Sequence, residues 1–147
     1  MTIAQEWAYF DTSVLLKNYI EETGSVQTRG LLQRYRFISS VIAPLEVLSA
    51  LYRRKSTGEL DDKALSGILA RIREDRLYWK LVEVSSQTLS RAEELIQRTD
   101  LRTLDALHVA SLMTIQAALG IRIPFITGDR RQRDMAGRLG LDVLWVG

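Results

Sequence analysis

Residues 7–19 read WAYFDTSVLLKNY and carry the clearest structural signal in the chain. They begin with an aromatic, apolar run, Trp7–Phe10, of the kind that predicts a short buried strand. The polar triplet Asp11–Ser13 follows at once, and such side chains cap the N-termini of helices. An amphipathic helix carrying Val14–Leu16 is therefore expected directly after the strand. A strand that leads straight into a helix is the repeating unit of parallel α/β sheets.

The same alternation of strand and helix continues to the end of the chain. Short apolar runs between turn residues predict further strands over 37–41, 81–84, 123–127 and 142–146. Amphipathic segments predict helices after Ser25, from Pro44 to about Gly58, after Asp61 or Asp62, and over 86–98, 103–119 and 129–139. The sequence therefore predicts an α/β fold with a central parallel sheet of four to five short strands and about seven flanking helices. No repeat or linker interrupts it, so residues 1–147 are expected to form a single domain.

The composition restricts the class of protein and its compartment. The chain has no Cys, which excludes disulfides and thiolate metal sites and fits a reducing cytosol. It shows no signal peptide, and no apolar run approaches the ~18 residues of a membrane helix. The net charge is only +2, but the cations are 16 Arg and 4 Lys, a skew that weakly supports a phosphate-bearing partner. We expect a cytoplasmic protein without membrane association.

Four acidic residues stand where an α/β sheet would bring them together. Asp11 follows the first predicted strand and Asp129 the fourth, whereas Glu46 and Asp105 lie where helices open. In open parallel sheets, ligands bind beyond the carboxyl ends of the strands, an edge at which the four side chains could converge. Carboxylates gathered without matching cations cost several kcal/mol unless a divalent metal neutralises them. The pattern therefore indicates a hard-metal site, and nearby arginines suggest phosphodiester chemistry.

Each acid taken alone has a simpler interpretation. An Asp in the first turn of a helix commonly caps that helix or interacts with its dipole, which applies to Asp11, Asp105 and Asp129. Glu46 is harder to explain in this way, because it stands beside Leu45 at a helix start that is expected to be partly buried. Taken one residue at a time, helix caps therefore remain an alternative to the metal site.

The motifs around these acids resemble those of a known family. FDTSVLLKNY, APLEVLSAL, LRTLDALHVASL and FITGDRRQ are similar to the successive motifs of PIN-domain nucleases, and most of all to the VapC-type toxins of bacterial toxin–antitoxin pairs. The resemblance spans Trp7–Val146. It implies that the catalytic residues and ligands of Mg²⁺, with Mn²⁺ as the alternative, are Asp11, Glu46, Asp105 and Asp129. It also implies a supporting hydroxyl at Thr127, and Thr12 is expected to support the site from beside the first of the acids.

The same resemblance implies a function and partners. The expected substrate is RNA, hydrolysed to 5′-phosphate and 3′-hydroxyl products, and the expected partner is a small antitoxin whose chain lies across the domain. Wide apolar stripes, such as Leu48, Leu51 and Tyr52, would leave an exposed groove for such a partner if the sheet does not need all of them. Members of the family commonly form homodimers, and a homodimer is expected here.

Arginines and the single histidine surround the predicted site. Arg102, Arg130 and Arg131 are candidate contacts for RNA phosphates, although they equally fit a solvated face or pairing with neighbouring acids. His108 lies one turn beyond Asp105. A catalytic base is possible at that position, but a structural role or support of a metal ligand is the stronger expectation.

Two other interpretations compete with the nuclease. The first is a non-catalytic RNA- or protein-binding module on the same scaffold, whose acids merely cap helices; loss of an acid would indicate it, and all four are present. The second is a phosphoryl-transfer enzyme, either of the haloacid-dehalogenase type or with a receiver-type acceptor. The former requires an Asp where Ser13 stands, and the latter requires a lysine after Lys80, which the chain lacks.

Overall fold

The strands form one parallel sheet in the computed structural model, which describes residues 5–147. They are β1 (Trp7–Phe10), β2 (Arg36–Ser40), β3 (Lys80–Val82), β4 (Phe125–Thr127) and β5 (Val143–Trp145). Their order across the sheet is β3-β2-β1-β4-β5, and every neighbouring pair is parallel. The predicted α/β class and the parallel sheet are therefore confirmed.

Seven α-helices connect these strands in the described part of the chain. They are α1 (Thr12–Lys17), α2 (Ser25–Arg34), α3 (Ala43–Ser56), α4 (Asp62–Asp75), α5 (Ser86–Arg98), α6 (Thr103–Leu119) and α7 (Arg130–Arg138), with a short 3₁₀ helix at Arg76–Tyr78. The number of helices matches the prediction. None of the helices within residues 5–147 combines the length and apolar character that a membrane span needs.

The predicted strand boundaries shift by a few residues, most clearly at β4. That strand was predicted from residue 123 but begins at Phe125. Pro124 has no N–H to donate to a neighbouring strand, and the backbone N–H of Ile123 donates instead to Gln116 Oε1 at 2.8 Å. The apolar run is therefore longer than the strand, because its first two residues belong to the connection from α6.

The two faces of the sheet pack against different helices. Side chains alternate along β1, so that Ala8 and Phe10 point to one face and Tyr9 to the other. The first face packs against α1 to α4 through residues such as Val14, Leu51 and Leu65. The second packs against α5 to α7, with core residues that include Leu95, Val109 and Ala136. Burial on both faces explains why the strands are short apolar runs without polar alternation.

Helix α3 carries more apolar surface than the sheet covers. Leu51 is fully buried, whereas Leu48 and Tyr52 are 41% and 46% exposed and Leu45 is 70% exposed. The predicted stripe is therefore split, with one part in the core and one part facing solvent. Its exposed part begins beside Glu46 and is the kind of apolar surface that an interaction partner covers.

Candidate active site

The site lies where the strand order reverses. Strand β1 pairs with β2 on one side and with β4 on the other, and ligands bind beyond the carboxyl ends of parallel strands at such a switch point. Asp11 directly follows β1, and Asp129 lies two residues after β4. Both residues also cap helices: Asp11 Oδ1 accepts from the Val14 N–H at 3.1 Å, and Asp129 Oδ1 accepts from the Gln132 N–H at 3.0 Å. A capping role and a place in the site are thus compatible.

One cavity of about 470 Å³ brings the four predicted acids together. Its walls come from α1, α3, α6 and α7, and they include Asp11, Thr12, Glu46, Asp105, His108, Asp129 and Gln132. Apolar side chains, among them Leu45 and Leu104, form part of the same wall. The predicted convergence of residues that are far apart in sequence is therefore seen in the structure.

Asp11 is the most deeply buried of the acids. It is only 2% exposed, and hydroxyl groups surround it: Ser13 Oγ donates to Oδ1 at 2.6 Å, and Thr127 Oγ1 donates to Oδ2. Burial raises the pKa of this carboxyl above its usual value, although the hydrogen bonds from Ser13, Thr127 and the Val14 N–H act in the opposite direction. Keeping Asp11 ionised therefore costs free energy that a bound cation would offset.

Asp105 shows the effect of its acidic neighbours. It lies in the first turn of α6, about half buried, and its Oδ1 accepts a 3.1 Å hydrogen bond from Gln132 Nε2. Burial raises its pKa, and the negative charges of Asp129 and Asp11 raise it further. The carboxylates of the cavity therefore repel one another in the absence of a cation.

Glu46 is held differently, by donors on two neighbouring helices. Its Oε1 accepts from Thr12 Oγ1 at 2.8 Å and lies 2.7 Å from His108 Nε2. Burial alone would raise the pKa of Glu46, but hydrogen bonding and charge from His108, together with the Thr12 bond, lower it overall. His108 is itself buried and bonds to Tyr9 OH through Nδ1 at 2.8 Å. The expectation that His108 supports a neighbouring ligand agrees with these contacts.

The donor set fits a hard divalent cation. All four acids offer carboxylate oxygens, and the chain contains no Cys to compete for the ion. Within residues 5–147, no three carboxylate or imidazole groups lie close enough to enclose one ion in the conformation described. Mg²⁺ usually keeps several water ligands and takes one or two carboxylates directly from a protein, so the remaining acids of a site can hold it through water. Nor does any Lys or Arg form an ion pair with Asp11, Asp105 or Asp129 in the described part of the chain.

The predicted arginines separate into two groups. Arg131 lines a neighbouring cavity that it shares with Asp105, so it lies beside the acidic site. Arg102 and Arg130 are exposed, and neither is among the residues that line the acidic cavity. Arg53 does line that cavity, with Nη1 2.9 Å from Ser49 Oγ, although its sequence position indicated only a helix C-terminus.

Sequence reasoning missed several residues that hold the acids in place. Gln132 is the clearest case, because it is 2% exposed and contacts both Asp105 and Thr127. Its spacing of three from the helix-capping Asp129 is that of a capping box, which could have drawn attention to it. In a capping box the side chain returns to the backbone of the cap, whereas here it turns to another helix. Ser13 and Tyr9 gave no comparable signal.

Comparison with known proteins gives one consistent set of relatives. The sequence profile of the PIN domain family matches residues 8–138. The ribonuclease VapC46 of Mycobacterium tuberculosis is 34% identical over 137 residues, which cover 92% of this chain and 95% of that protein.

Solved structures of toxin–antitoxin complexes share the fold at low sequence identity. A VapBC2 structure from Rickettsia felis, bound to a promoter DNA fragment, superposes with a TM-score of 0.66 at 10% identity, over 95% of this chain and 98% of the other. A toxin–antitoxin complex from Klebsiella pneumoniae superposes with a TM-score of 0.62 at 20% identity, over 93% of this chain and 95% of the other.

Proposed function

The chain belongs to the PIN domain family, and from this premise we propose that it is a metal-dependent endoribonuclease that acts as the toxin of a toxin–antitoxin pair. The chain and its 34% identical relative, a ribonuclease, match over almost their whole lengths. We propose further that residues 1–147 act as one nuclease domain.

The observation that carries the proposal is the convergence of four carboxylates on one cavity, none of which forms an ion pair with a Lys or Arg among the described residues. Helix capping alone explains Asp11 and Asp129, but it explains neither Glu46 nor Asp105, which cap nothing in the described structure. Capping also does not require a buried Asp11 whose pKa is raised by desolvation. A site built to hold a cation explains all four residues together.

The residues proposed to hold Mg²⁺, or Mn²⁺, are Asp11, Glu46, Asp105 and Asp129. When bound, such a cation supplies Lewis-acid activation of a water molecule and stabilises the charge that develops on the leaving 3′ oxygen. The hydroxyls of Ser13 and Thr127 orient Asp11, and Gln132 orients Asp105. A carboxyl must lose its proton before it can act as a ligand. The raised pKa values of Asp11 and Asp105 move that loss to higher pH.

RNA is the proposed substrate, and cleavage is proposed to leave a 5′-phosphate and a 3′-hydroxyl. The ribonuclease relative supports the choice of RNA. Arg53 at the cavity and Arg131 beside Asp105 support the binding of phosphate groups there. Arg102 and Arg130 are exposed outside the acidic cavity and stay candidate contacts for phosphates farther along the RNA.

A protein antitoxin is the proposed regulator, in a cytoplasmic system whose toxin is a homodimer. The structural relatives include toxin–antitoxin complexes, which supports an antitoxin partner. The exposed Leu45 and Leu104 line the acidic cavity, so a partner that covers them would also close the site. Leu48 and Tyr52 extend this apolar surface along α3 and add area for a protein contact.

The alternative is a non-catalytic module on the same scaffold, and the two helix caps made by Asp11 and Asp129 are the observation in its favour. Incubation of antitoxin-free protein with total RNA, in Mg²⁺ and in EDTA, separates the two functions. The nuclease predicts discrete fragments with 5′-phosphates in Mg²⁺ and intact RNA in EDTA. Intact RNA in both conditions, from folded protein shown to bind Mg²⁺, would favour the module.

A further inference from the structure

Two further cavities lie next to the acidic site. The first, of about 450 Å³, begins at Asp105 and lies between the α5–α6 connection and α7, where Arg131 and Arg138 line it. The second, of about 440 Å³, shares Asp100, Met135 and Arg138 with the first and adds Arg98. We call this pair of cavities the α7 groove. Asp105 lines both the acidic site and the groove, so the two cavities are neighbours.

The arginines of the α7 groove are available to a ligand. Arg98, Arg131 and Arg138 are exposed, and within residues 5–147 none of them pairs with a carboxylate. Arg133, by contrast, pairs with Asp134 at 2.9 Å and so neutralises an acid of the groove. Asp100 is the remaining carboxylate away from Asp105, so this part of the groove is net positive.

We propose that the α7 groove binds the single-stranded RNA that extends from the cleaved bond, with Arg98, Arg131 and Arg138 contacting its phosphates. The proposal rests on the proposed ribonuclease function and assigns the path of the substrate to one side of Asp105. Guanidinium forks suit phosphate oxygens, and contacts of this kind position a strand without reading its sequence. A positively charged groove that follows the backbone is a common way for proteins to hold single-stranded nucleic acid.

A pair of matched triple variants tests the groove. Both are made in an Asp11→Asn background, which is intended to prevent cleavage and leaves the surface of the groove unchanged. The first carries Arg98→Gln, Arg131→Gln and Arg138→Gln. The second carries Arg29→Gln, Arg71→Gln and Arg122→Gln, which remove the same charge from arginines bonded elsewhere on the surface. Thermal melting confirms that each variant is folded.

The readout is the affinity for a labelled single-stranded RNA pool as a function of salt, measured by fluorescence anisotropy. Each lost phosphate contact lowers the slope of log K against log salt by about 0.7, so the groove variant should lose about 2 in slope together with affinity. The control triple should keep the slope of its parent. Equal behaviour of the two triples would overturn the proposal, whether both lose affinity or neither does.

The proposed groove and the proposed nuclease activity can be disproved separately. If the wild-type protein cleaves RNA but the groove triple binds like its parent, the groove is wrong and the nuclease stands. If the wild-type protein cleaves nothing but only the groove triple loses RNA binding, the groove stands as an RNA site and the nuclease is wrong.

A series of hydrogen bonds leads from the core to the acidic cavity. Tyr9 OH lies 2.8 Å from His108 Nδ1, and His108 Nε2 lies 2.7 Å from Glu46 Oε1. Tyr9 is fully buried and His108 is 2% exposed, and their rings pack edge to face with centroids 5.8 Å apart. This packing fixes the imidazole between the sheet and the carboxylate.

The chemistry of the carboxylate fixes the direction of the hydrogen bond between His108 and Glu46. An ionised Glu46 can only accept, so Nε2 of His108 must carry the hydrogen between them. In the neutral imidazole, Nδ1 is then the acceptor, and the Tyr9 hydroxyl is the donor to it. Thr12 also donates to Oε1 of Glu46, whereas Oε2 has no hydrogen-bond partner among the described residues.

We infer that Tyr9 and His108 are positioning residues that hold Glu46 by Oε1 and leave Oε2 as the oxygen open to a cation. This placement of Glu46 rests on the proposed metal site and is independent of the α7 groove. Removal of a residue that orients a metal ligand in this way commonly lowers metal affinity by about 10–100-fold.

Nuclear magnetic resonance tests the direction directly, because His108 is the only histidine of the chain. The ¹⁵N spectrum of the metal-free wild-type protein should show one imidazole with its hydrogen on Nε2. A ring with its hydrogen on Nδ1 alone would overturn the inference. This measurement requires no variant and no RNA.

Metal affinity tests the consequence. Tyr9→Phe keeps the packed ring and should weaken Mn²⁺ binding by about 10-fold, measured by calorimetry without RNA. His108→Gln offers an amide nitrogen at the reach of Nε2 and should bind Mn²⁺ more tightly than His108→Asn, whose amide is too short. Wild-type affinity in both folded Tyr9→Phe and folded His108→Asn would contradict the inference.

Discussion

At the scale of single residues, Asp11 combines two requirements that oppose each other. Its side chain is buried among the hydroxyls of Ser13 and Thr127, which hold it in one orientation. The same burial raises its pKa and so disfavours the ionised form that a cation requires. The metal-free protein should therefore gain stability when this charge is removed, at the expense of its activity.

Asp11→Asn tests this conflict between stability and function. In EDTA the variant should melt about 2–4 °C above the wild-type protein, the shift that ~1 kcal/mol produces in a protein of this size, because no charge remains to be buried. RNA cleavage should be lost. Ser13→Ala is the matched control, because it removes a hydrogen bond to the charged form and should lower the melting temperature. A destabilised but active Asp11→Asn would contradict the account.

The raised pKa values also predict how stability depends on pH. A carboxyl whose pKa is higher in the folded state stabilises the protein fully below the unfolded value of about 3.9, and this stabilisation is lost as the pH rises through the folded value. Asp11 and Asp105 are of this kind, whereas Glu46, with a lowered pKa, acts in the opposite direction.

The difference in melting temperature between Asp11→Asn and the wild-type protein isolates the contribution of Asp11. In EDTA it should grow as the pH rises from about 4, because only the wild-type protein then acquires the buried charge. Saturating Mg²⁺ should stabilise the wild-type protein more than the variant and reduce the difference. A difference that stays constant with pH would show that Asp11 titrates normally.

Residue identity could be predicted from the sequence for the acids and for the hydroxyls of Thr12 and Thr127, but not for Ser13 and Gln132. Asp11, Glu46, Asp105 and Asp129 stand in family motifs at predictable element ends. Gln132 becomes a support only because α7 packs beside the start of α6, which is a tertiary contact that no local pattern encodes.

At the scale of elements, Asp129 has both a capping role and a proposed catalytic role, and substitutions can separate them. Asparagine caps helices as well as aspartate does, so Asp129→Asn should change the free energy of unfolding by less than about 0.5 kcal/mol, whereas Asp129→Ala should cost ~1 kcal/mol. If Asp129 also holds a cation, both variants lose RNA cleavage. An active Asp129→Asn would reduce this residue to a cap.

Asp61 provides the control for that pair. It caps α4 in the same way, with the Ala64 N–H donating to Oδ1 at 2.7 Å, and it is not among the residues that line the acidic cavity. Asp61→Ala should therefore cost about as much stability as Asp129→Ala, ~1 kcal/mol, without loss of cleavage. Denaturant unfolding and the RNA assay report the two effects separately.

Gly24 joins the start of α2 to the end of the sheet. It has φ +90°, and a Cβ there would lie 2.5 Å from the carbonyl oxygen of Val146. Gly58 has φ +83° but open space around it. Gly58→Ala should cost about 1–2 kcal/mol from the backbone conformation alone, and Gly24→Ala should cost more because Val146 must also move. Equal losses in denaturant unfolding would show that the contact with Val146 carries no cost.

The elements themselves could largely be predicted from the sequence, and their ends less well. Helices α5 and α6 begin and end at the predicted residues, with Ser85 capping the start of α5 and Gly120 closing α6. Strand β4 is shorter than its apolar run, because Pro124 and the bond of Ile123 to Gln116 stop the ladder. A side chain that captures a backbone N–H from another element leaves no trace in local hydrophobicity.

At the scale of the whole molecule, the function depends on the order of the strands. Placing β1 between β2 and β4 brings the loop after β1 beside the loop after β4, and so brings Asp11 beside Thr127 and Asp129. Helices α3 and α6 then add Glu46 and Asp105 from opposite faces of the sheet. Sequence patterns predict parallel strands but not their order in the sheet. The resemblance to a known family is therefore what predicts that the four acids converge.

The most direct test of the central claim is the Mg²⁺ dependence of RNA cleavage in the wild-type protein and in four single variants, Asp11→Asn, Glu46→Gln, Asp105→Asn and Asp129→Asn, with Asp61→Asn as the control. The account predicts saturable, EDTA-sensitive cleavage in the wild-type protein and the control, and a loss of at least about 100-fold in each of the four. Cleavage that survives EDTA, or that persists in all four folded variants, would contradict a metal site made by these carboxylates.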